Sequence, residues 1–423
     1  MSLSLKLYQA LLKSIVTALE FIPPRRIERE EVELRKGHYA PESDVPAQTI
    51  WIHGASLGEA ITLRPLLKAL GKAVGSQHLL GTAITMDGLK RLRADDLAEF
   101  TSLMPIELPD FLNPFLDRLH PALVLIAETE LWPLMLSILQ RRRIPYGIIN
   151  GRINPRTVKI IRLFFSLFRT GLDGLKFVLC QNQEYADRFA RLGISREKIH
   201  ILGSFKYDLE PPPGEAESLR KCYGFPPGRT VICFGSTHPG EDEQILEALE
   251  PLWPEMNATI ILAPRHLKRV EEIERLLQEK HLDYSRLTQH RRPLGRVLLV
   301  DQLGDLRSLY ALSDLAFVGG SLIKHGGQNI LEPAACGVPV ICGPHTFNFP
   351  SESAALKKAD ALVEVHSTEE LRQAIHRFFE DPVPWKLRGE RGRETLNQLA
   401  GASARTIDFL KAGGYLNPCL PHS

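Results

Sequence analysis

TIWIHGASLGEA, residues 49–60, passes from an apolar, β-branched run through a turn of small residues into a helix-like segment. A strand that turns directly into a helix is the first half of a βαβ unit, so this stretch decides the fold class. The rest of the first half repeats the pattern. Short apolar runs, HLLGTAIT, ALVLIAE, YGIIN and FVLCQN, alternate with helical spacing, which calls for a parallel sheet with helices on both faces. A second series runs through TVICFGS, ATIILAP, RVLLVD, LAFVGGS and PVICG. Between the two lies EPPPGEAE, residues 210–217, whose prolines and acidic glycine stretch read as a linker.

Both series open alike, with HGASLGE in the first and FGSTHPGE in the second. Each has a strand, a small-residue turn, and Gly-Glu at the head of a helix. The expectation is an α/β protein of two Rossmann-like domains facing an interdomain cleft, with both glycine-rich turns at the carboxyl ends of their sheets. Nothing recurs at the roughly 20- to 50-residue period of a solenoid. The expected division is 1–40 as an N-terminal amphipathic membrane-anchor segment, 41–209 as the first domain, and 210–423 as the second, with a C-terminal helix crossing back.

A chain of 423 residues, 44% hydrophobic and 24% charged, is globular and too long for one ordinary core. The net charge of +2 hides an asymmetry. Residues 1–208 carry 28 basic and 22 acidic side chains and the remainder 24 and 28, so the halves are +6 and −4. That bias is too weak for a nucleic-acid binder and suits a first domain that meets an anionic surface or substrate. The six cysteines show neither CxxC pairs nor histidines at zinc spacing; they read as reduced core thiols, and no metal site is expected.

The N-terminal LSLKLYQALLKSIVTALEFIPP is apolar at helical spacing, with Lys6, Lys13 and Glu20 seven apart as a narrow polar seam. Three charges argue against a spanning helix, and no small-residue cleavage site follows. The expectation is a helix in the plane of a membrane interface; the alternative is an amphipathic helix packed on the protein itself.

Several motifs carry candidate chemistry. In HGASLGEA, Ser56 and Glu59 have capping-box spacing, and Glu59 is equally a carboxylate at the mouth of a cleft, ready to take a proton. AETELWP ends an apolar strand with Glu128 and Glu130. GSFKYD offers Lys206 either as an exposed hinge lysine or as a cation for a leaving group. In FGSTHPGE, the amides around Ser236 and Thr237 could seat a phosphate, although the acidic residues that follow already answer the helix dipole. APRH places Pro264 and Arg265 just after a strand, as a solvated loop or as a fork for phosphate or base.

GGSLIKHGGQNILEP is the most informative stretch, because paired glycines, Gly320 and Ser321 among their neighbours, let backbone approach a ligand. Asn329 and Glu332 then open a helix with the spacing of a cap and its N3 carboxylate, and that glycine density suits a sugar-nucleotide pocket in which Glu332 accepts from ribose hydroxyls. Dinucleotide and P-loop patterns are absent. Arg152, Arg156, Lys159, Arg162 and Arg169 lie in the positive half, on or after GRINPRT, and read as a solvated helix face or as contacts for an anionic ligand; LFFSLF between them reads first as core.

Taken in order, HGASLGEA, AETELWP, GRINPRT, GSFKYD, FGSTHPGE, APRH, DQLGDL, GGSLIKHGGQNILEP and GPHTFNF resemble the 3-deoxy-D-manno-octulosonic acid (Kdo) transferases from about residue 50 to 350. The resemblance implies an inverting GT-B glycosyltransferase that needs no metal or other cofactor. It implies CMP-Kdo as donor and lipid IVA, the lipid A precursor of lipopolysaccharide, as acceptor, at the cytoplasmic face of the inner membrane. It maps the general base to Glu59 and transition-state stabilisation to Glu128 and Lys206. It maps CMP binding to Pro264, Arg265, Leu303, Gly304, Asp305, Asn329, Ile330, Leu331 and Glu332.

There are departures. Asp305 stands where the family usually has glutamate, and Gln302 where threonine is common. The runner-up readings are another GT-B enzyme using a UDP-sugar, and a catalytically dead, membrane-peripheral nucleotide-sugar-binding module.

Overall fold

The computed structural model describes residues 2–21, 29–39, 45–46, 48–210, 213–289, 293 and 295–419. Residues 22–24 of the apolar N-terminal run, the expected boundary at 40/41, and 211–212 of the linker lie outside them. The chain forms two units. Unit 1 takes the residues up to Asp208 together with those from Ala400 onward, and unit 2 takes Leu209–Leu399.

Unit 1 is built on seven parallel strands: β1 (Thr49–His53), β2 (Leu79–Ala83), β3 (Phe100–Leu103), β4 (Pro121–Ala127), β5 (Tyr146–Gly151), β6 (Val178–Cys180) and β7 (Ile199–Ile201). Their order is β3-β2-β1-β4-β5-β6-β7. Strand direction in sequence space reverses between β1 and β4, the switch point where open α/β sheets bind ligands beyond their carboxyl ends. The central strands are apolar on both faces because helices cover both. Alternation sends Trp51, Val124 and Ile126 to one core and Ile50, Ile52, Leu123 and Leu125 to the other. Trp51 meets Phe115 edge-on at 5.4 Å.

The second of those cores is closed by the helix Ala402–Ala412, whose Ile407 and Leu410 are buried in it. Asp208 fastens the start of that helix by accepting from the amides of Gly401, at 2.5 Å, and Ser403, at 2.6 Å.

The N-terminal helix, Leu3–Phe21, packs on unit 1 through Leu5, which is buried with Leu108 and Leu134, and through Tyr8, Leu12 and Val16. The Tyr8 hydroxyl donates to Glu107 at 2.6 Å, and the other Glu107 oxygen accepts from the Leu134 and Met135 amides. A ridge of Leu3, Leu7, Leu11 and Ile15 is left exposed on the opposite side. The two readings of this helix are thus not exclusive, for one face is core and the other bare. Among the described residues no helix is long and apolar enough to cross a membrane. LFFSLF is not core throughout, since Leu163, Phe164 and Phe165 are exposed while Leu167 packs beside Leu5.

Unit 2 has strands β8 (Thr230–Thr237), β9 (Ala258–Pro264), β10 (Tyr284–Arg286), β11 (Val297–Leu299), β12 (Leu315–Val318), β13 (Val340–Cys342) and β14 (Leu362–Glu364). They are parallel in the order β10-β11-β9-β8-β12-β13-β14, with the switch point between β8 and β12. All six cysteines are free thiols; four are buried, Cys336 is partly so, and Cys222 is exposed rather than core.

Candidate functional site

In unit 1 the turns after β1, β4 and β5 bring Glu59, Glu128, Glu130 and Arg152 within electrostatic reach of one another, and the segment after β7 packs against the helix that follows β1. Gly54 permits the tight exit from β1, for a Cβ there would meet Leu63 at 2.9 Å and the Glu59 Cβ at 3.3 Å. Ser56 then caps the helix Leu57–Val74 by accepting from the Glu59 amide at 3.3 Å, and the Glu59 carboxylate reaches back to the Ala55 amide at 2.6 Å. The capping geometry expected from the sequence is present.

The electrostatics go further. Burial pushes the Glu59 carboxyl up to about 7, with Glu128 and Glu130 adding repulsion against the Ala55 amide and Arg152, which oppose it. A carboxylate that titrates near neutrality both binds and releases a proton under ordinary conditions, which is what a general base requires.

Glu128 leaves β4 at φ +52, a left-handed conformation rare for a residue with a side chain. Glu128 is 6% exposed, and its carboxylate is held by Arg152, at 3.0 Å from Nε and 2.7 Å from Nη2. Arg152 is therefore engaged with Glu128, whereas Arg156 is exposed in the first turn of the helix Pro155–Leu163. Lys206 lies in the short turn Phe205–Tyr207, which packs against the helix Leu57–Val74 that carries Glu59.

Asn150 fixes that turn, its side-chain oxygen accepting from the buried Phe205 amide at 3.2 Å while Asn150 itself sits at φ +49. Asn150 lies outside the motifs singled out above. Its signal was a lone polar residue closing the apolar run YGIIN.

In unit 2, Pro264 ends β9 buried, and Arg265 stands exposed after it, its amide bonded to the Thr237 carbonyl at 3.0 Å. The Asn329 side chain accepts from the Leu331 amide at 3.1 Å and donates to Glu332 at 3.0 Å, ahead of the short helix Leu331–Ala335. Burial raises the Glu332 carboxyl above its usual range, opposed by Asn329, Arg307 and Arg265. The Pro-Arg and Asn-x-x-Glu segments are thereby in electrostatic contact. Ile330 and Leu331 are buried in the core, so only their backbone is offered to a ligand.

Leu303 and Gly304 form an exposed corner, Gly304 at φ +105. Asp305 accepts from the Tyr223 hydroxyl at 2.6 Å and, on its other oxygen, from the Gln302 amide at 2.6 Å. Gln302 and Asp305, the two residues noted as departures in the sequence, are thus bonded to each other.

Two carboxylates at the head of the helix Glu241–Leu249 take donors from the neighbouring turns. Gly320 and Ser321 donate to Glu241, as does His238, and the Thr237 hydroxyl donates to Asp242 at 2.6 Å. Ser236, at φ +57, turns the chain ahead of them. His238 is buried against the His325 ring at 3.9 Å between centroids, with the His266 ring at 5.7 Å. Burial, together with those rings and Arg269 and Arg265, pushes His238 down to about 4. Among the described residues no group of histidine, cysteine and carboxylate side chains is arranged to hold a metal.

Residues 30–209 match the family described as 3-deoxy-D-manno-octulosonic-acid transferase (kdotransferase), and 273–397 match glycosyl transferases group 1. The 3-deoxy-D-manno-octulosonic acid transferase of Haemophilus influenzae is 34% identical over 95% of this chain and 95% of its own. The Bordetella pertussis protein of the same name is 30% identical over 86% of this chain and 87% of its own. Among solved structures, the UDP-GlcNAc 2-epimerase of Neisseria meningitidis superposes with a TM-score of 0.59 at 14% identity, covering 86% of this chain and 100% of that one. That likeness is one of fold, two parallel α/β domains of the GT-B kind.

Proposed function

We propose, from the premise that this chain belongs to the 3-deoxy-D-manno-octulosonic acid transferase family, that it moves Kdo from CMP-Kdo to lipid IVA with inversion. The observation that carries this reading is the Glu59 carboxyl, partly exposed and raised to about 7. Glu59 takes the proton from an acceptor hydroxyl, whose oxygen bonds to the anomeric carbon of Kdo as the bond from that carbon to the CMP phosphate breaks. The contribution of such a base is about 10²- to 10⁴-fold. Glu128, held by Arg152, and Lys206 answer the charge that shifts during transfer, and no metal is required where fixed cations do so.

CMP is assigned to Pro264 and Arg265, to the 303–305 corner, and to Asn329 through Glu332. At the corner each Asp305 oxygen already accepts one hydrogen bond, which leaves one acceptor site on each, beside the exposed backbone of Leu303 and Gly304, for the donor. The acceptor's phosphates are assigned to the basic face that begins at Arg156. A guanidinium in the first turn of a helix stands at the positive end of the dipole, an unfavourable place that an anionic ligand would relieve.

The surface fits a lipid-borne acceptor. The bare ridge Leu3, Leu7, Leu11 and Ile15 and the exposed Ile160, Leu163, Phe164 and Phe165 belong to packed neighbours in unit 1, with Lys159 and Arg162 exposed among them. Apolar side chains interleaved with cations suit the interface of an anionic bilayer. We therefore assign the protein to the cytoplasmic face of the inner membrane, attached from one side.

The deciding experiment is mass spectrometry of lipid IVA incubated with the protein and CMP-Kdo. One or more added Kdo masses are expected. Unchanged lipid, with thermal stabilisation by UDP and not by CMP, would instead favour a different sugar nucleotide.

A further inference from the structure

The two Gly-Glu turns look alike in sequence and behave oppositely in the fold. In unit 1, Glu59 accepts from the Ala55 amide and keeps a partly exposed carboxyl that titrates near neutrality. In unit 2, Glu241 is fully buried and accepts from four backbone amides. One oxygen takes the His238 amide at 3.0 Å and the Gly320 amide at 2.6 Å. The other takes the Ser321 and Leu322 amides, each at 3.0 Å. A carboxylate offers about four lone-pair sites, and here all are used.

Three consecutive amides converging on one point form a nest of the kind that usually receives a ligand's anion. Here the chain's own anion fills it.

The turn after β12 is pressed against the turn after β8 by this arrangement. A Cβ on Gly319 would lie 2.5 Å from the Ser236 carbonyl oxygen, and Gly320 sits at φ +69. The same turn then returns on itself, with the Gly327 amide bonded to the Gly320 carbonyl at 2.7 Å and the Gln328 amide to the Gly319 carbonyl at 3.0 Å. Gln328 also meets the His238 ring at 3.0 Å, and Asn329 follows directly.

We propose that Glu241 is a positioning residue for the donor: its carboxylate fills the amide nest at 320–322 and so fixes the loop that delivers Asn329 and Glu332. The donor's own negative charge then falls to side chains, Arg265 foremost, and not to the glycine-rich turn. The link to donor binding rests on the function proposed above, whereas occupancy of the nest does not.

The test is chemical rescue. Glu241→Ala empties the nest while leaving its four donors, so a small carboxylate supplied in solution can refill it. With the purified full chain, Glu241→Ala is expected to lower the melting temperature and to raise KM for CMP-Kdo about tenfold or more, with a smaller change in kcat. Formate at high concentration is expected to restore both, and chloride at equal ionic strength neither. Wild type and Glu243→Ala, altered at an exposed neighbour, are expected not to respond. A formate-dependent rise in melting temperature without turnover of CMP-Kdo by wild type would keep the nest and overturn the donor assignment.

Formate and chloride acting alike on Glu241→Ala would overturn the proposal. If that variant does not fold, Glu241→Gln supplies the measurement. It keeps the volume but turns an NH2 toward amide donors, so a raised KM supports the proposal and a wild-type KM overturns it.

Discussion

Glu59 answers to two demands at once, and a single substitution separates them. Glutamine keeps an oxygen for the Ala55 amide but cannot take a proton, so Glu59→Gln is expected to preserve the fold while transfer falls by about 10²- to 10⁴-fold. Melting temperature measured beside turnover on lipid IVA checks this. In wild type, kcat/KM is expected to fall as pH drops below about 7, where the carboxyl becomes protonated. Arg152 opposes the rise of that carboxyl, so Arg152→Ala is expected to move the acid limb of the profile to higher pH. A limb that stays in place or moves down would remove Arg152 from the site's electrostatics. Stability has the opposite sign from activity. A carboxyl raised on folding binds more protons folded than unfolded between about 4.5 and 7, so stability attributable to Glu59 falls as pH rises through that window. Spacing alone made the capping role of Glu59 legible, because Ser-x-x-Glu has one local geometry. Its perturbed acidity was not, since it comes first from burial and then from Glu128, Glu130 and Arg152, which reach it from the turns after β4 and β5. Asn150 was missed for a similar reason: its partner, the Phe205 amide, is 55 positions away.

Among elements, the strands were the easiest to read, since a parallel strand covered on both faces is a short continuous apolar run. The N-terminal helix was harder. Its sequence is apolar on most sides, and only the fold reveals that Leu5 is core whereas Leu3, Leu7, Leu11 and Ile15 remain bare. Replacing Leu3, Leu7 and Leu11 together by serine is expected to leave the melting temperature within about 1 °C, because those side chains lose little on folding, and to abolish flotation with anionic vesicles. Retained flotation would remove the ridge from the membrane surface. Tyr8→Phe works on the other face. It takes a donor from the buried Glu107 and is expected to cost about 1.5–3 kcal/mol, seen as earlier proteolysis of the helix and a lowered denaturation midpoint. The glycine-rich turn after β12 shows the limit of composition as a guide. Its glycines were read as room for a ligand, and the density of small residues is real. What presses against Gly319 is instead the protein's own β8 turn, and what occupies the amides of Gly320 and Ser321 is Glu241. No spacing rule reveals which carboxylate a nest will take when the two are 79 positions apart.

At the scale of the molecule, alternating strands and helices with a proline-rich interruption were enough to read two α/β bodies from the sequence. The return of the last helix to unit 1 has a measurable cost if undone. The helix Ala402–Ala412 covers one core of unit 1, so deleting residues from 400 onward is expected to destabilise unit 1 and leave the residues of unit 2 folded. Differential scanning calorimetry would show this as selective loss or lowering of one of two transitions. A uniform shift of both would mean that the bodies unfold as one. The clasp at Asp208 adds a topological consequence. Because one carboxylate holds the backbone at 401–403, the points where the chain leaves unit 1 and re-enters it are pinned together. Unit 2 is in effect a guest sequence inserted between two neighbouring residues of its host. A single nick in the 210–217 stretch therefore releases neither body, and severing them takes a second cut near 400. For the same reason, circular permutants that open at either crossing should keep both bodies whole.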